Sequence, residues 1–430
     1  MTSAHTLPKS HSLSVLEHRA FVDALTTRLP PVRRPLLAEH GSDRCLGAVL
    51  AENVVTRMPV PPFTNSAMDG FVVRHADIAD ATGDSPTTLP VAGDIPAGDT
   101  TPHELRPGTA WRIMTGAPIP FGADTVVKVE QTDHTPGTRE LPHQASFYAA
   151  PAPGANIRRA GEDVRAGLTV LAAGCRLDAT ALACAASVGY GDLAVYPQPR
   201  VGIVTAGDEL VAPGVGPRPG KVPDSNGVLL TALAEAAGAR VVARARVRDD
   251  PRALRAALDG WSGIDLVITA GGISAGAYEV VRQALSRSTM RFHHVAQEPG
   301  GPQGVGTIRL GGRDVPVLCL PGNPVAVFVG FHVYAAGMIE MMAGRRTGTQ
   351  PPTHEVIAAE GWSSSPTKTQ FIPLCETARG TVRRIHRLGP ASHLVASLPL
   401  ADGLGVVPAG IDHVDRGDCL RFIPTHLESR

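Results

Sequence analysis

Val201-Gly-Ile-Val-Thr205-Ala-Gly207-Asp208-Glu209-Leu210 decides the fold. Its first half is a short apolar run rich in β-branched residues, the pattern of a strand buried on both faces. Its second half breaks into glycine and acids, and a helix-spaced segment follows over 226–237. The same phrase then repeats. A strand over 240–247 precedes a helix over 251–261. Asp265-Leu-Val-Ile-Thr269 runs into Ala270-Gly271-Gly272-Ile-Ser274-Ala-Gly276 and a helix over about 277–286. Val315-Pro-Val-Leu-Cys-Leu320 leads through Pro321-Gly322-Asn323-Pro324 into a long apolar helix over 325–342. Strand–helix alternation of this kind specifies a doubly wound parallel α/β domain, assigned here to residues 198–347.

The flanking sequence has a different texture. Residues 14–27 carry helical apolar spacing and end at Pro30-Pro31, and 46–55 reads as a short helix passing into a strand. From 57 to 150 the chain is rich in Pro, Gly and Thr, with short apolar runs at Leu89-Pro-Val91-Ala and Asp124-Thr-Val-Val-Lys128. That is a β-rich domain inserted between two halves, 12–56 and 151–197, of a small α+β domain. The second half holds a strand over 167–171 and a helix over 179–187. Residues 348–430 return to short strands and form a C-terminal β-barrel-like domain. The expectation is therefore an α/β multidomain protein.

Composition narrows the function. Lys+Arg and Asp+Glu are equal at 40 each, so no global field draws nucleic acid or an anionic membrane. Aromatics at 4% argue against base-stacking platforms. The six cysteines are scattered without ligand spacing, as in a reducing, cytoplasmic setting. No apolar leader precedes residue 12, and the apolar run at 325–342 contains Gly330, His332 and Glu340, which suits a core helix better than a membrane span.

In open parallel sheets ligands bind at the C-terminal ends of the strands. Gly271, Gly272, Ser274, Pro321, Gly322 and Asn323 fall there, in strand-to-helix turns whose backbone N–H groups suit a phosphate. Taken singly, each glycine only permits a tight turn. Acids crowd the same region: Asp208, Glu209, Asp249, Asp250 and Glu279, with Asp69 and Asp163 in polar loops elsewhere. Carboxylates near a phosphate repel it unless a hard divalent cation such as Mg²⁺ bridges the two. Asp250 before Pro251 reads as a helix N-cap, so Asp249 is the better functional candidate of the two; Asp249 and Glu279 are the expected metal ligands.

Several islands fall in a fixed order: Asn65-Ser-Ala-Met-Asp69-Gly70, Arg112-Ile-Met-Thr115-Gly116-Ala117, Asn156-Ile-Arg158-Arg-Ala-Gly161-Glu162-Asp163, Gly207-Asp208-Glu209-Leu210, Ala270-Gly271-Gly272-Ile-Ser274, and Leu320-Pro321-Gly322-Asn323-Pro324. Together they resemble the molybdopterin molybdenumtransferase family, the MoeA-type proteins and the gephyrin E domain, from about residue 12 onward. The resemblance implies the same four-domain plan and a homodimer. It implies an enzyme of molybdenum cofactor biosynthesis that takes adenylylated molybdopterin and molybdate and releases AMP with divalent metal present. A molybdopterin adenylyltransferase is then a natural partner. Asp69, Thr115, Glu209 and Asp249 match active-site positions, and Arg158, Asp163 and Ser392 match substrate-binding ones. Three departures stand out. Ala277 and Glu279 replace two aspartates. His294, Glu298 and Gly301 stand where relatives commonly carry lysines, and Pro373 stands where an arginine is expected, with Lys368 upstream. A divergent paralogue with weak or altered transferase activity, or a gephyrin-like scaffold, remain the alternative readings.

Overall fold

A computed structural model describes residues 12–37, 45–137, 140–216, 218–273, 280–285, 288–378, 380–386 and 393–425. The chain divides into two compact units, Met1–Arg33 with Ala194–Arg430, and Arg34–Leu193.

The first unit is built on a six-stranded sheet in the order Arg240–Val247, Arg200–Ala206, Leu266–Ala270, Arg313–Leu320, Pro302–Leu310 and Arg291–His294. The first four strands are parallel. The last two are antiparallel additions to one edge. This edge hairpin lies outside the strand–helix alternation. Its glycine-interrupted strand hides the pattern, although the turn that joins Pro302–Leu310 to the neighbouring Arg313–Leu320 is signalled by Gly311-Gly312, both at positive φ (53° and 81°). Such a two-residue turn matches the twist of the strands it joins.

Helices cover both faces of the sheet. Asp224 caps Ser225–Ala236 by accepting from the Gly227 N–H at 2.9 Å, and Asp250 caps Pro251–Asp259 by accepting from Arg252 N–H at 2.8 Å. Leu254 and Leu258, one turn apart, are buried with Val267, Val317 and Cys319 on one face. On the other face the helical run Pro324–Met342 packs Val327, Phe331, Tyr334 and Met338 against Ile203, Ile268 and Leu318. Among the described residues this is the one helix long and apolar enough to cross a membrane, and 94% of its most apolar stretch is buried inside the protein. It is a core helix with a π-turn at Phe331–Ala335.

The last strands of this unit close on themselves. Thr369–Ala378, Thr381–Arg384, His354–Ala358, Cys419–Pro424 and Gly403–Val407 form a ring, the last pairing back to the first. Val356, Leu374, Val382 and Phe422 fill the barrel. Closure removes the exposed strand edges that a five-stranded sheet would otherwise present.

The helix Val15–Leu25 also belongs to this unit. Ser14 and Glu17 form a reciprocal capping box, and Arg19 donates to the Val333 carbonyl at 3.1 Å. His18 is fully buried, its Nδ1 2.7 Å from His293 Nε2 and its ring edge-on to Tyr334. Burial, with His293 and Arg19 adding to it, pushes the His18 pKa down to about 3. In the unfolded chain the same imidazole takes its proton near about 6.5. Stability from the neutral ring is thus complete above about pH 6.5 and is lost as pH falls toward 3, because the unfolded state binds the proton first. The loss reaches at most about 4–5 kcal/mol. Urea midpoints between pH 7 and 4 are expected to fall more steeply in the wild type than in His18→Phe. Parallel declines would show that His18 does not set the acid limit.

The second unit centres on a five-stranded sheet ordered Thr125–Lys128, Gly70–Val73, Ala110–Ile113, Thr87–Ile95 and Gln144–Phe147. Phe71, Val127 and Phe147 fill one face; Val72, Ile95, Ile113 and Val126 fill the other. Ala179–Ser187 is helical, capped by Asp178. The short helix expected to open 46–55 is absent, whereas the strand expected to end it is present at Val54–Val55. Val49–Leu50 and Val54–Val55 are strands there: Leu50 N–H donates to Cys175 O, and Val54–Val55 pairs with Thr169–Leu171. Pairing with distant chain overrides a local preference for helix.

Candidate functional site

In the first unit the C-terminal ends of the parallel strands come together through their backbones. Gly271 (φ 91°) receives no side chain for two reasons: the left-handed region favours glycine, and an ideal Cβ would lie 2.5 Å from Ala206 O. Its N–H donates to Leu320 O, and Gly322 approaches so closely that a Cβ there would sit 3.4 Å from Gly271 Cα. Asn226, in the first turn of its helix, donates through Nδ2 to Gly322 O at 2.6 Å. Thr205 Oγ1 donates to Asp224 Oδ2 at 2.6 Å, tying the first strand to the same helix cap. Asn323 stands at the N-cap of the long helix without a side-chain capping bond, and Pro324 follows it. The first N–H groups of such a helix favour an anion.

The acids lie beside these turns. Asp208 N–H donates to Asp249 Oδ2 and Asp249 N–H to Asp208 Oδ1, both at 3.3 Å, so the first two strand ends carry a facing carboxylate pair. Glu209 folds back over Gly207, where an ideal Cβ would lie 2.5 Å from its carboxylate oxygen. Lys221 Nζ donates to Asp208 O at 2.5 Å. Among the described residues no three His, Cys, Asp or Glu side chains converge as a metal cage. Two hard carboxylates at an open edge still suit Mg²⁺, which keeps several waters and takes the rest of its ligands from substrate phosphates. Glu209, Asp249, Gly271, Gly272, Pro321, Gly322 and Asn323 thus share one edge of one sheet. Ser274 and Glu279, with Ala277, lie outside the described residues, as does Ser392.

His294 ends its strand on that edge too, since its strand runs antiparallel to Pro302–Leu310, itself antiparallel to Arg313–Leu320. Its ring is exposed, 3.4 Å from Ser12 Oγ at Nδ1 and stacked over Gly301, whose ideal Cβ would lie 2.5 Å from it. A side chain at 301 would displace this imidazole. Glu298 instead accepts from Gln370 Nε2 at 3.3 Å.

The second unit holds the remaining candidates. Thr115 N–H donates to Asp69 Oδ1 at 2.6 Å, so two sequence islands meet in one bond. Arg158 pairs with Asn65 across a two-stranded ladder, and Asp163 N–H donates to Val60 O at 3.0 Å, bringing the third island onto the Asp69 loop. Sequence reasoning passed over Asp94, which takes a two-pronged ion pair from Arg112 at 2.9 and 2.7 Å. Nothing local marks that pair, because parallel pairing of distant strands sets Asp94 opposite Arg112. Asp224 and Asn226 were also missed, although Asp224-Ser-Asn226 before an apolar run is an N-cap signal. A cavity of about 540 Å³ opens beside Asp69, Phe71, Arg112, His134 and Leu141.

Comparison with known proteins covers nearly the whole chain. Residues 13–189 match the MoeA N-terminal region (domain I and II), 202–340 a probable molybdopterin binding domain, and 355–425 the MoeA C-terminal region (domain IV). Molybdopterin molybdenumtransferase 2 of Mycobacterium tuberculosis (strain H37Rv) is 40% identical over 95% of this chain and 98% of its own. Molybdopterin molybdenumtransferase 1 of the same strain is 32% identical over 96% and 99%. The crystal structure of the molybdopterin biosynthesis MoeA protein from Pyrococcus horikosii superposes with a TM-score of 0.77 at 25% identity, covering 96% of this chain and 99% of that one.

Proposed function

The chain belongs to the molybdopterin molybdenumtransferase (MoeA) family, and from that premise we propose how its residues perform the transfer. It is an enzyme of molybdenum cofactor biosynthesis with molybdopterin and molybdate as substrates. In the reading advanced here molybdopterin arrives adenylylated, and AMP leaves as molybdenum is transferred. The observation that carries this is the juxtaposition on one sheet edge of phosphate-grade turns at Gly271 and Gly322 with the Asp208–Asp249 carboxylate pair. Acids beside a phosphate cradle make sense when a divalent metal joins the two.

Asp249, with Glu279, would hold Mg²⁺, whose chemistry when bound is to neutralise charge on the departing phosphate. Gly272, Gly322 and Asn323 bind the substrate phosphates through backbone donors, joined by Ser274, while Gly271 and Pro321 shape the turns that present them. Glu209 orients the reacting end. Asp69, Thr115, Arg158 and Asp163 complete the site from the second unit, in a homodimer where they reach the partner's strand edge. The four-domain plan given by the sequence, a cytoplasmic setting and supply of substrate by a molybdopterin adenylyltransferase belong to the same proposal.

Loss of the lysines at 294, 298 and 301 weakens the hold on an anionic substrate. His294→Lys, which places a permanent cation at this position, is expected to tighten apparent substrate affinity several-fold. An affinity unchanged by that substitution would assign the anion to another cation. The function itself is tested by reconstitution. Purified protein, adenylylated molybdopterin, molybdate and Mg²⁺ should together activate an apo molybdenum enzyme, and activation without this protein at equal rate would remove the reading.

A further inference from the structure

The geometry points to the cavity beside Asp69 as the pocket for the pterin of molybdopterin, with the Asp69 carboxylate receiving the amino-pyrimidinone edge of that ring. This rests on the functional reading above and adds which part of the substrate the second unit takes. The cavity, about 540 Å³, is within the size range of small-molecule sites and ample for a bicyclic heterocycle. Phe71, Met114, Val129 and Leu141 give it apolar walls, suited to the faces of a flat ring.

Its polar groups select against anions. Arg112 is held by Asp94 in a two-pronged pair and also donates to Glu140 O at 3.0 Å, so its charge is spent within the wall. His134 Nε2 lies 2.9 Å from Gln144 O, and a carbonyl only accepts, so that nitrogen carries the proton and is engaged. Asp69 and Glu140 add negative charge at the lining. Among the described lining residues the carboxylates of Asp69, Asp94 and Glu140 outnumber the Arg112 guanidinium, which disfavours phosphate or molybdate here. It does not disfavour a ligand rich in N–H donors.

Asp69 is fixed for that task. The 2.6 Å bond from Thr115 N–H to Oδ1 orients the carboxylate, and Oδ2 has no partner among the described residues. A pterin presents its N3–H and 2-amino group side by side, two parallel donors that meet a carboxylate as a fork. Adenine, the other heterocycle of an adenylylated substrate, presents a donor beside an unprotonated acceptor nitrogen on the equivalent edge. One of its two contacts with a carboxylate would be repulsive. The pocket therefore discriminates between the two ends of the substrate.

The test uses the full chain and free pterin, followed by the change in pterin fluorescence on titration. Lumazine, with oxygen in place of the 2-amino group, serves as the matched probe. Pterin is expected to bind saturably, lumazine at least about tenfold more weakly, and AMP not to displace pterin. Asp69→Asn should weaken pterin roughly ten- to hundredfold, as loss of a charge-assisted pair does. Leu141→Trp, which fills the cavity from its rim, should weaken it without touching the carboxylate. Absent pterin binding, equal binding of pterin and lumazine, displacement by AMP, or indifference to both substitutions would each overturn the assignment. AMP release from adenylylated molybdopterin is measured on the same samples. Release without pterin selectivity keeps the transferase and removes the pocket; selectivity without release keeps the pocket and removes the transferase.

Discussion

Asp69→Asn is expected to lower AMP release on the order of 10²-fold at subsaturating substrate while leaving the fold in place. The expectation separates the two jobs of the side chain. Its structural job is to accept the Thr115 N–H at 2.6 Å, and the carbonyl oxygen of an asparagine accepts that bond equally well. Asp69 is exposed, so the substitution buries no new group. What disappears is a negative charge and the ability to accept along its whole outer edge, since one oxygen becomes a donor. A variant that melts with the wild type but releases AMP at the wild-type rate would make Asp69 a turn residue and nothing more.

Mixing inactive protomers is expected to give the second large effect. If Asp69 and Glu209 serve one site from different subunits of the proposed dimer, Asp69→Asn and Glu209→Gln homodimers are each nearly silent. In the heterodimer one site then holds both intact groups and the other holds neither. Activity should rise from near background toward half that of the wild type per dimer. Glu209 is suited to such a test because its carboxylate lies over Gly207 and is exposed, so glutamine occupies the same space. A verified heterodimer as silent as its parents would place both groups in a single-chain site.

The parallel strands were legible because β-branched runs buried on both faces have few other readings. The strand expected over 240–247 is Arg240–Val247, and the helix expected over 226–237 is Ser225–Ala236. Asp250 is the cap that its position before Pro251 implied. The antiparallel hairpin that extends the sheet escaped because Gly304 and Gly306 interrupt its apolar run. Both glycines are required by close neighbours, Phe292 and Met290, which only the folded chain supplies. The start of 46–55 was misread as helix because its pairing partners lie more than a hundred residues away, while its strand end was legible.

The site was legible to a different degree. The acids and glycines of the strand edge announce themselves by residue type and by their place after apolar runs. Contacts between islands do not. The bond from Thr115 to Asp69, the Asp94–Arg112 pair and the buried His18–His293 contact all join elements whose meeting is a property of topology. The His18 ring, neutral and sealed beside Tyr334, reads in the sequence only as one polar residue on a short helix.

The central claim is that this strand edge couples molybdenum transfer to loss of AMP. Its most direct measurement is AMP release by the purified protein from adenylylated molybdopterin, with and without molybdate, in Mg²⁺ and after chelation of Mg²⁺. The account predicts release of one AMP per molybdopterin that requires this protein, molybdate and divalent metal together. AMP appearing no faster than in the protein-free control, or at the same rate without molybdate, would contradict it.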